Sequence, residues 1–280
     1  MKFDSNRAWL DAVAAVNTNR QVLLAVAGVF FLLPALLSAV FLADVQTQMF
    51  KAMGKPDVIE RLFSENLGML LGFGVGGLLV QSVGYLTVMA LLSDRGRPTV
   101  GEAIVVALRA LPTLMGTVLL TTAGLMVASM LLMAVLGGVL GLAVGVGVAS
   151  VLVAVALIAL MIYLSIKLSL IVPVVINEGV GNPVAAIVRS WRLTRHNSLR
   201  LLGFFTLLVI GYIAIAFVVT VALVSPFALL AGEGQGLTLF TGVVSGAISA
   251  ASSVILMAVL AYTHRQLAES SSETISRTFE

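Results

Sequence analysis

A long stretch without charged side chains constrains this chain more than any other feature. Between Arg109 and Lys167 the sequence contains no Asp, Glu, Lys or Arg. About 20 consecutive apolar residues cross a bilayer as a helix, so this stretch is long enough for two crossings. Only 10% of the whole chain is charged and 60% is hydrophobic, which leaves too few polar side chains to cover a soluble fold. The sequence therefore predicts an integral membrane protein.

Apolar runs of this kind occur six times along the chain. None shows the alternation of apolar and polar residues that is typical of membrane β-barrels, so helices are predicted. The first run is longer than the apolar core of a signal peptide and is interpreted as a retained span. The predicted fold is all-α and polytopic, with a single membrane domain over residues 1–265. The six predicted spans are 21–43, 67–92, 113–136, 144–173, 201–224 and 237–262.

The distribution of Lys and Arg predicts the orientation, because cytoplasmic loops carry an excess of these residues. If both termini lie in the cytoplasm, the outside loops hold only Lys51, Lys55 and Arg61, and Lys167 lies within a span. The polar, serine-rich tail over residues 266–280 is predicted to be disordered in the cytoplasm. The inside segments then hold Lys2, Arg7, Arg20, Arg95, Arg97, Arg109, Arg189, Arg192, Arg195, Arg200, Arg265 and Arg277.

Two cytoplasmic segments resemble each other. "AIVVALR" begins at Ala103 and "AIVRSWR" begins at Ala186, and they match at four of seven positions. Helix-start signals precede both: Thr99 with Glu102 as a capping box, and Asn182 followed by Pro183. The sequence therefore predicts a threefold parallel repeat with units 1–94, 95–177 and 178–265. Each unit has one cytoplasmic, interfacial amphipathic helix and two spans.

The segment "AIVRSWRLTRHNSLRLLG" concentrates cations in an apolar chain. On a helix, Arg189, Arg192, Arg195 and His196 share one face, because they are three or four residues apart. Another face carries Val184, Ile187, Val188 and Trp191. A helix with these two faces is typical of the membrane interface, where arginines meet anionic headgroups. The first interpretation is that the arginines only fix the topology and anchor the helix; a specific lipid or anion site is the alternative, and the two are compatible. The predicted headgroup or anion-binding residues are Arg189, Arg192, Arg195, Arg200, Trp191 and Lys167.

The segment "KLSLIVPVVINEGVGNPVAAIVRSWRLTRHNSLRLLG" resembles the characteristic segment of bacterial YciC-like inner-membrane proteins. It is also similar to the membrane domain attached to some glycerophosphoryl diester phosphodiesterases. The resemblance implies a multi-pass protein of the bacterial cytoplasmic membrane and brings no settled activity. The phosphodiesterase chemistry belongs to a separate soluble domain. The matching positions are Lys167, Pro173, Glu178, Gly179, Arg189, Ser190, Trp191, Leu193, Thr194 and Arg195.

Several single residues lead to further expectations. Lys167, near a span end, is expected to snorkel to the interface and pair with Glu178; the alternative is a cation lining a cavity for an anionic ligand. Pro112 and Pro173 are expected to mark helix boundaries, and Pro34 a kink. Glycines spaced by four are expected to allow close packing between helices. These glycines are Gly68, Gly72, Gly76, Gly137, Gly141 and Gly145. For the last three, the alternative is a part in the turn between the third and fourth spans.

The sequence contains no local catalytic signature, no metal-ligand spacing and no cofactor motif. We therefore expect a non-enzymatic protein that binds or organises anionic phospholipid, or that serves as a membrane subunit for a partner protein. Nucleic acid is not an expected partner, and a homo-oligomer is compatible with the sequence. The alternative is a transporter for a small or lipid-like anion, with a polar cavity reaching Lys167. An enzyme would instead cluster a histidine with a carboxylate.

Overall fold

The computed structural model describes residues 3–93, 98–232 and 234–276. Every regular element in these ranges is a helix, as the sequence predicts. Three five-residue π-helical segments interrupt the longer helices, at Gly28–Leu32, Met133–Gly137 and Thr220–Val224. The α-helices are α1 (Ser5–Thr18), α2 (Arg20–Ala27), α3 (Leu33–Phe41), α4 (Ala43–Lys51), α5 (Pro56–Glu65), α6 (Leu67–Leu91), α7 (Val100–Leu132), α8 (Gly138–Val144), α9 (Val146–Leu168), α10 (Ile171–Asn177), α11 (Pro183–Thr194), α12 (Ser198–Val219), α13 (Ser225–Ala231) and α14 (Gln235–Ser276).

Six helical segments are long and apolar enough to cross a membrane, and the prediction of six spans is confirmed. The described residues therefore have the helices of a multi-pass membrane protein. Several segments are longer than predicted, because adjoining surface residues continue the same helix. The segments are Arg20–Phe41, Leu67–Leu91, Val100–Ala143, Val146–Asn177, Ser198–Leu230 and Gln235–Glu269.

The third span differs from the prediction at Pro112. Helix α7 begins at the capping box of Thr99 and Glu102, as predicted, but then passes through Pro112 without a break. A proline inside a helix removes one backbone hydrogen bond. Here Ala107 before it and Leu114 after it are both buried, so packing on either side keeps the helix continuous. Pro112 is therefore not a boundary, and the second predicted unit has no separate surface helix.

Other local predictions have mixed outcomes. Pro173 lies in the first turn of α10, just after α9 ends at Leu168, so it marks a helix boundary as predicted. Pro34 stands at the start of α3, directly after a π-helical segment, so the irregularity precedes the proline. The tail predicted to be disordered is helical as far as Ser276, because α14 continues without a break; residues 277–280 lie outside the described ranges.

The helices that begin the three predicted units share one feature. Each buries two small side chains four residues apart, so a neighbouring helix can approach its backbone closely. This common burial supports the threefold repeat, which stays a prediction. The three pairs are Ala8 and Ala12, Ala103 and Ala107, and Ala186 and Ser190, all at most 1% exposed.

Helix α14 forms the centre of the fold. Half of the most apolar 18-residue segment of the sixth span is buried inside the protein. In the third and fifth spans, none of the corresponding segment is buried. Two glycines allow this packing: a Cβ on Gly242 would lie 2.6 Å from Ala39 Cβ, and one on Gly246 would lie 2.9 Å from Leu32 Cδ1. The first span therefore packs directly on the backbone of α14.

The beginning of the chain is attached to its last third. The backbone N–H of Phe3 donates to Asn197 Oδ1 at 3.1 Å, and the N–H of Asp4 donates to Gln266 Oε1 at 3.2 Å. The Phe3 ring also lies 5.5 Å from the ring of Phe204. These contacts hold the start of α1 against both α14 and the turn that joins α11 to α12.

The predicted glycine stripes do not mediate close packing within the chain. Gly68, Gly72 and Gly76 have no neighbouring atom within 4 Å of a built Cβ, so that expectation is wrong. Gly145 forms the turn between the third and fourth spans, with a positive φ of 82°, which confirms the alternative for the second set of glycines. The close approach on α6 occurs at Gly84, where a Cβ would lie 2.6 Å from Phe30 Cβ.

We expect Gly84→Ala to destabilise the protein by about 1–3 kcal/mol, because the added methyl group forces apart two packed spans. Gly72→Ala, on the same helix but in open space, is the matched control and should leave stability unchanged or slightly raised. Thermal unfolding midpoints in detergent would measure both effects. Equal midpoints for the two variants would contradict this packing.

Candidate functional site

A carboxylate, a guanidinium and an imidazole from three parts of the chain meet near the ends of the spans. Glu178 directly follows α10, Arg189 lies on α11, and His264 lies on α14. Arg189 Nε donates to Glu178 Oε2 at 2.7 Å and to Oε1 at 3.0 Å. His264 Nε2 lies 2.9 Å from Oε1 of the same carboxylate. This network, which we call the Glu178 network, joins α10, α11 and α14.

The electrostatic environment keeps Glu178 ionised. Burial raises the pKa of this carboxyl group, but hydrogen bonds from Arg189 and His264 and the positive charges of these partners outweigh burial. The pKa consequently lies below its ordinary value. The side chain of Glu178 is 23% exposed and that of His264 is 6% exposed, so the pair is largely shielded from water.

Lys167 has a different environment from the one predicted. The residue is only 4% exposed, and its Nζ donates to Ser198 Oγ at 2.8 Å. The ammonium also lies 5.5 Å from the centre of the Tyr163 ring and 5.4 Å from that of Trp191. Two aromatic faces can offset the cost of burying a cation. The expectations of snorkelling and of a Glu178 pair are therefore wrong.

Hydroxyl groups connect Lys167 to α11 and α12. Ser190 Oγ donates to the carbonyl oxygen of Lys167 at 2.7 Å. Thr194 Oγ1 donates to the carbonyl oxygen of Ser190 at 3.0 Å. Ser198 Oγ in turn donates to the carbonyl oxygen of Thr194 at 2.7 Å. Ser165, by contrast, bonds its own helix, as expected. The buried hydroxyls thus fix α9 against α11.

Helix α11 packs on its neighbours mainly through small residues. Ala186 and Ser190 allow α7 and α9 to approach closely, and Leu193 is buried as well. Val184 and Val188 are exposed, which is compatible with the predicted apolar face at the membrane interface; that orientation stays a prediction. The buried residues of α11 are Ala186, Ser190, Leu193 and Thr194.

The predicted cationic residues divide into two groups. Arg189 turns inward to Glu178, and Lys167 is buried beneath the rings of Tyr163 and Trp191. The others remain at the surface beside the half-buried Trp191 and form what we call the arginine corner. The arginine corner consists of Arg192, Arg195 and Arg200.

The sequence did not indicate the pairing of His264 with Glu178. A histidine beside a carboxylate is the arrangement expected of an enzyme, but here both oxygens of the carboxylate are also bound by Arg189. The two residues of the pair are 86 positions apart, so no local spacing indicates it. The available signal was chemical: each is a polar residue placed beside a long apolar span, where a partner is needed. Within the three described ranges no group of three potential metal ligands occurs.

A small pocket adjoins His264. It has a volume of about 200 Å³ and lies where the ends of α6, α10 and α14 meet. Its polar lining includes Ser93, Asn177, His264, Arg265 and Glu269. A larger surface depression of about 540 Å³ is lined only by the consecutive residues 17–22 at the turn between α1 and α2. Lys167 lines neither of these two.

Comparisons with known proteins found no matching family model, no similar curated protein and no similar solved structure. The resemblance to YciC-like proteins stays a prediction from the sequence.

We expect Lys167 to resist acetylation by a water-soluble succinimidyl ester in the folded protein, because rings and packed helices cover its ammonium. The exposed Lys51 and Lys55 should react and serve as internal controls. Peptide mass spectrometry would quantify the three sites before and after denaturation in sodium dodecyl sulfate. Acetylation of Lys167 at the rate of Lys51 in the folded protein would show that the side chain reaches water.

We expect Glu178→Gln to lower the stability at neutral pH by roughly 1–3 kcal/mol, because Arg189 and His264 lose a charged acceptor. Folding lowers the pKa of Glu178, so its contribution is present above the ordinary carboxyl value of 4.5 and is lost as pH falls through the lower folded value. The difference between wild type and variant should therefore shrink below about pH 4.5.

Unfolding midpoints measured from pH 7 downwards would test this pH dependence. Glu60→Gln, which changes an exposed carboxylate on α5, is the matched control and should have little effect at any pH. A difference between wild type and Glu178→Gln that stays constant down to pH 3 would show that the charge of Glu178 does not stabilise the fold.

Proposed function

We propose that this protein is a non-enzymatic component of the bacterial cytoplasmic membrane that binds anionic phospholipid through the arginine corner. One observation supports this most directly. Arg192, Arg195 and Arg200 are exposed at the junction of α11 and α12, and none forms an ion pair with a carboxylate in the described parts of the chain. Exposed cations at a span end are placed for lipid phosphates.

The surroundings of the arginine corner favour binding at headgroup depth. Trp191 is half-buried beside it and contacts the ring of Tyr163, with ring centres 5.5 Å apart. Tyr163 is itself 46% exposed on α9. Aromatic rings of this kind are enriched at membrane–water interfaces. The rings would therefore hold the arginines at the depth of the phosphate groups.

The proposed orientation places both termini and the arginine corner in the cytoplasm. The described exposed cations on the opposite side are Lys51, Lys55 and Arg61, which share their loop with acidic residues. Lys2, Arg95, Arg97 and Arg277 also contribute to the predicted cytoplasmic excess and lie outside the described residues. Anionic lipids of the cytoplasmic leaflet would then face the arginine corner.

Binding is favoured over transport because of where Lys167 lies. A transporter for an anion would be expected to place this buried cation in a polar cavity. Its ammonium is instead covered by Tyr163, Trp191 and Ser198. The protein can also serve as a membrane subunit for a partner protein, because lipid bound at the arginine corner would position the complex of the two proteins in the membrane.

Native mass spectrometry would test the proposal on protein exchanged into mixed phosphatidylglycerol and phosphatidylcholine. We expect wild type to retain phosphatidylglycerol and Arg192→Gln/Arg195→Gln/Arg200→Gln to lose it. Each cation near an anionic surface contributes about 1 kcal/mol, so the affinity should fall by about 100-fold. The matched control, Lys51→Gln/Lys55→Gln/Arg61→Gln, removes the same charge and should retain the lipid.

Equal retention of phosphatidylglycerol by the two triple variants would contradict the proposal. Retention that falls steeply with added salt in wild type but not in the arginine variant would support it, because exposed charge pairs are screened by salt.

A further inference from the structure

The loop between the first and second spans carries an amphipathic helix that lipid binding at the arginine corner does not explain. In helix α5, Val58, Ile59, Leu62 and Phe63 lie on successive turns and share one side of the helix. We call these four residues the α5 apolar face. The remaining residues after the first proline of the helix are polar and exposed, and they are Asp57, Glu60, Arg61, Ser64 and Glu65.

The outer half of the α5 apolar face extends out of the protein. Ile59 is 36% exposed and Phe63 is 48% exposed, whereas the other two members of this face are half-buried. Two further apolar side chains of the same loop are more open still, since Phe50 is 74% exposed and Met53 is 67% exposed. Large apolar side chains gathered on one exposed element are typical of a surface that contacts a membrane or another protein.

The loop is joined directly to a membrane span at each of its ends. Only Leu42 separates α3 from α4, and its carbonyl oxygen accepts from the N–H of Gln46 at 2.9 Å. Only Asn66 separates α5 from α6, and its Nδ2 donates to the carbonyl oxygen of Leu62 at 2.9 Å. The carbonyl oxygen of Asn66 in turn accepts from the N–H of Leu70 at 2.9 Å. Helix α5 is therefore held at the surface of the membrane that α6 enters, which identifies lipid as the neighbour of its apolar face.

The charges on α5 do not favour attraction to anionic lipid. The helix carries three carboxylates, Asp57, Glu60 and Glu65, and one guanidinium, Arg61. A helix in the membrane interface is bound by burial of its apolar face and by electrostatic attraction of its cations. Here the helix is formally negative, so burial of apolar side chains is the favourable contribution.

We propose that the α5 apolar face is inserted into the lipid leaflet opposite to the arginine corner. The loop follows one crossing and the arginine corner follows four, so the two lie on opposite sides of the membrane. Ile59 and Phe63 then enter the boundary between headgroups and acyl chains, and the charged side of α5 stays in water. This contact needs no anionic lipid and does not depend on the function proposed for the arginine corner.

Nitroxide spin labels on single cysteines test the proposal, because the chain contains no cysteine. The test variants are Ile59→Cys and Phe63→Cys, and the matched controls on the polar side of the same helix are Glu60→Cys and Ser64→Cys. All four side chains are exposed, so a label replaces no buried contact. The full-length protein is reconstituted into phosphatidylcholine vesicles for electron paramagnetic resonance.

The measurement compares collisions of each label with molecular oxygen, which concentrates in lipid, and with a water-soluble nickel chelate. We expect the ratio of oxygen to nickel collisions to be several-fold higher at Ile59→Cys and Phe63→Cys than at the two controls. Exchange of half of the phosphatidylcholine for phosphatidylglycerol, or addition of salt, should leave this ratio unchanged, because apolar burial is not screened.

Three results would overturn the proposal. Equal access of the nickel chelate to all four labels would show that the α5 apolar face lies in water. Protection of Ile59→Cys and Phe63→Cys from both reagents would show that a second copy of the protein covers this face. A high ratio that appears only with phosphatidylglycerol and is lost in salt would show that charge, rather than apolar burial, holds the helix at the membrane.

Discussion

The absence of water in a bilayer decides where polar groups can lie in this chain. A charge in the hydrocarbon region has to find a partner or move to the end of a span. The six spans obey this constraint, because the Glu178 network and the hydroxyl groups beside Lys167 lie near their ends. Glu178 with its two partners, and Lys167 with its rings and hydroxyl, are two solutions to the same problem. The helices are consequently joined by polar contacts at one end and by apolar packing elsewhere.

The two solutions differ in physical kind. Glu178 is satisfied by the guanidinium of Arg189 and by the imidazole of His264, whereas Lys167 is satisfied by a neutral oxygen and two aromatic faces. A carboxylate that bridges three parts of the chain fixes their positions relative to one another. Lys167, enclosed by rings, holds α9 against α11 and α12 without a second charged side chain in the spans. Arg189 and Lys167 are thus both occupied inside the protein, and the arginine corner remains as the exposed cationic surface beside α11. The proposed lipid contact is therefore placed at the arginine corner.

The sequence predicted the number of spans because hydropathy depends on composition over long windows. It also identified the helix starts at Thr99 and Asn182, since capping depends on residues a few positions apart. It failed where the outcome depends on contacts between distant segments. Gly72 and Gly84 lie on the same helix, and only Gly84 meets a neighbour. The partner of Glu178 was missed for the same reason, because His264 reaches it only after α14 is packed.

The attachment of Phe3 and Asp4 to Asn197 and Gln266 has a consequence for biosynthesis. Phe3 and Asp4 have partners that are translated 194 and 262 residues later, so α1 cannot reach its final place until α14 has been made. Domains often fold in the order of synthesis, but here α1 stays undocked until the sixth span follows. Completion of the sixth span then becomes the event that closes the structure, and a ribosome stalled before that point would leave α1 undocked.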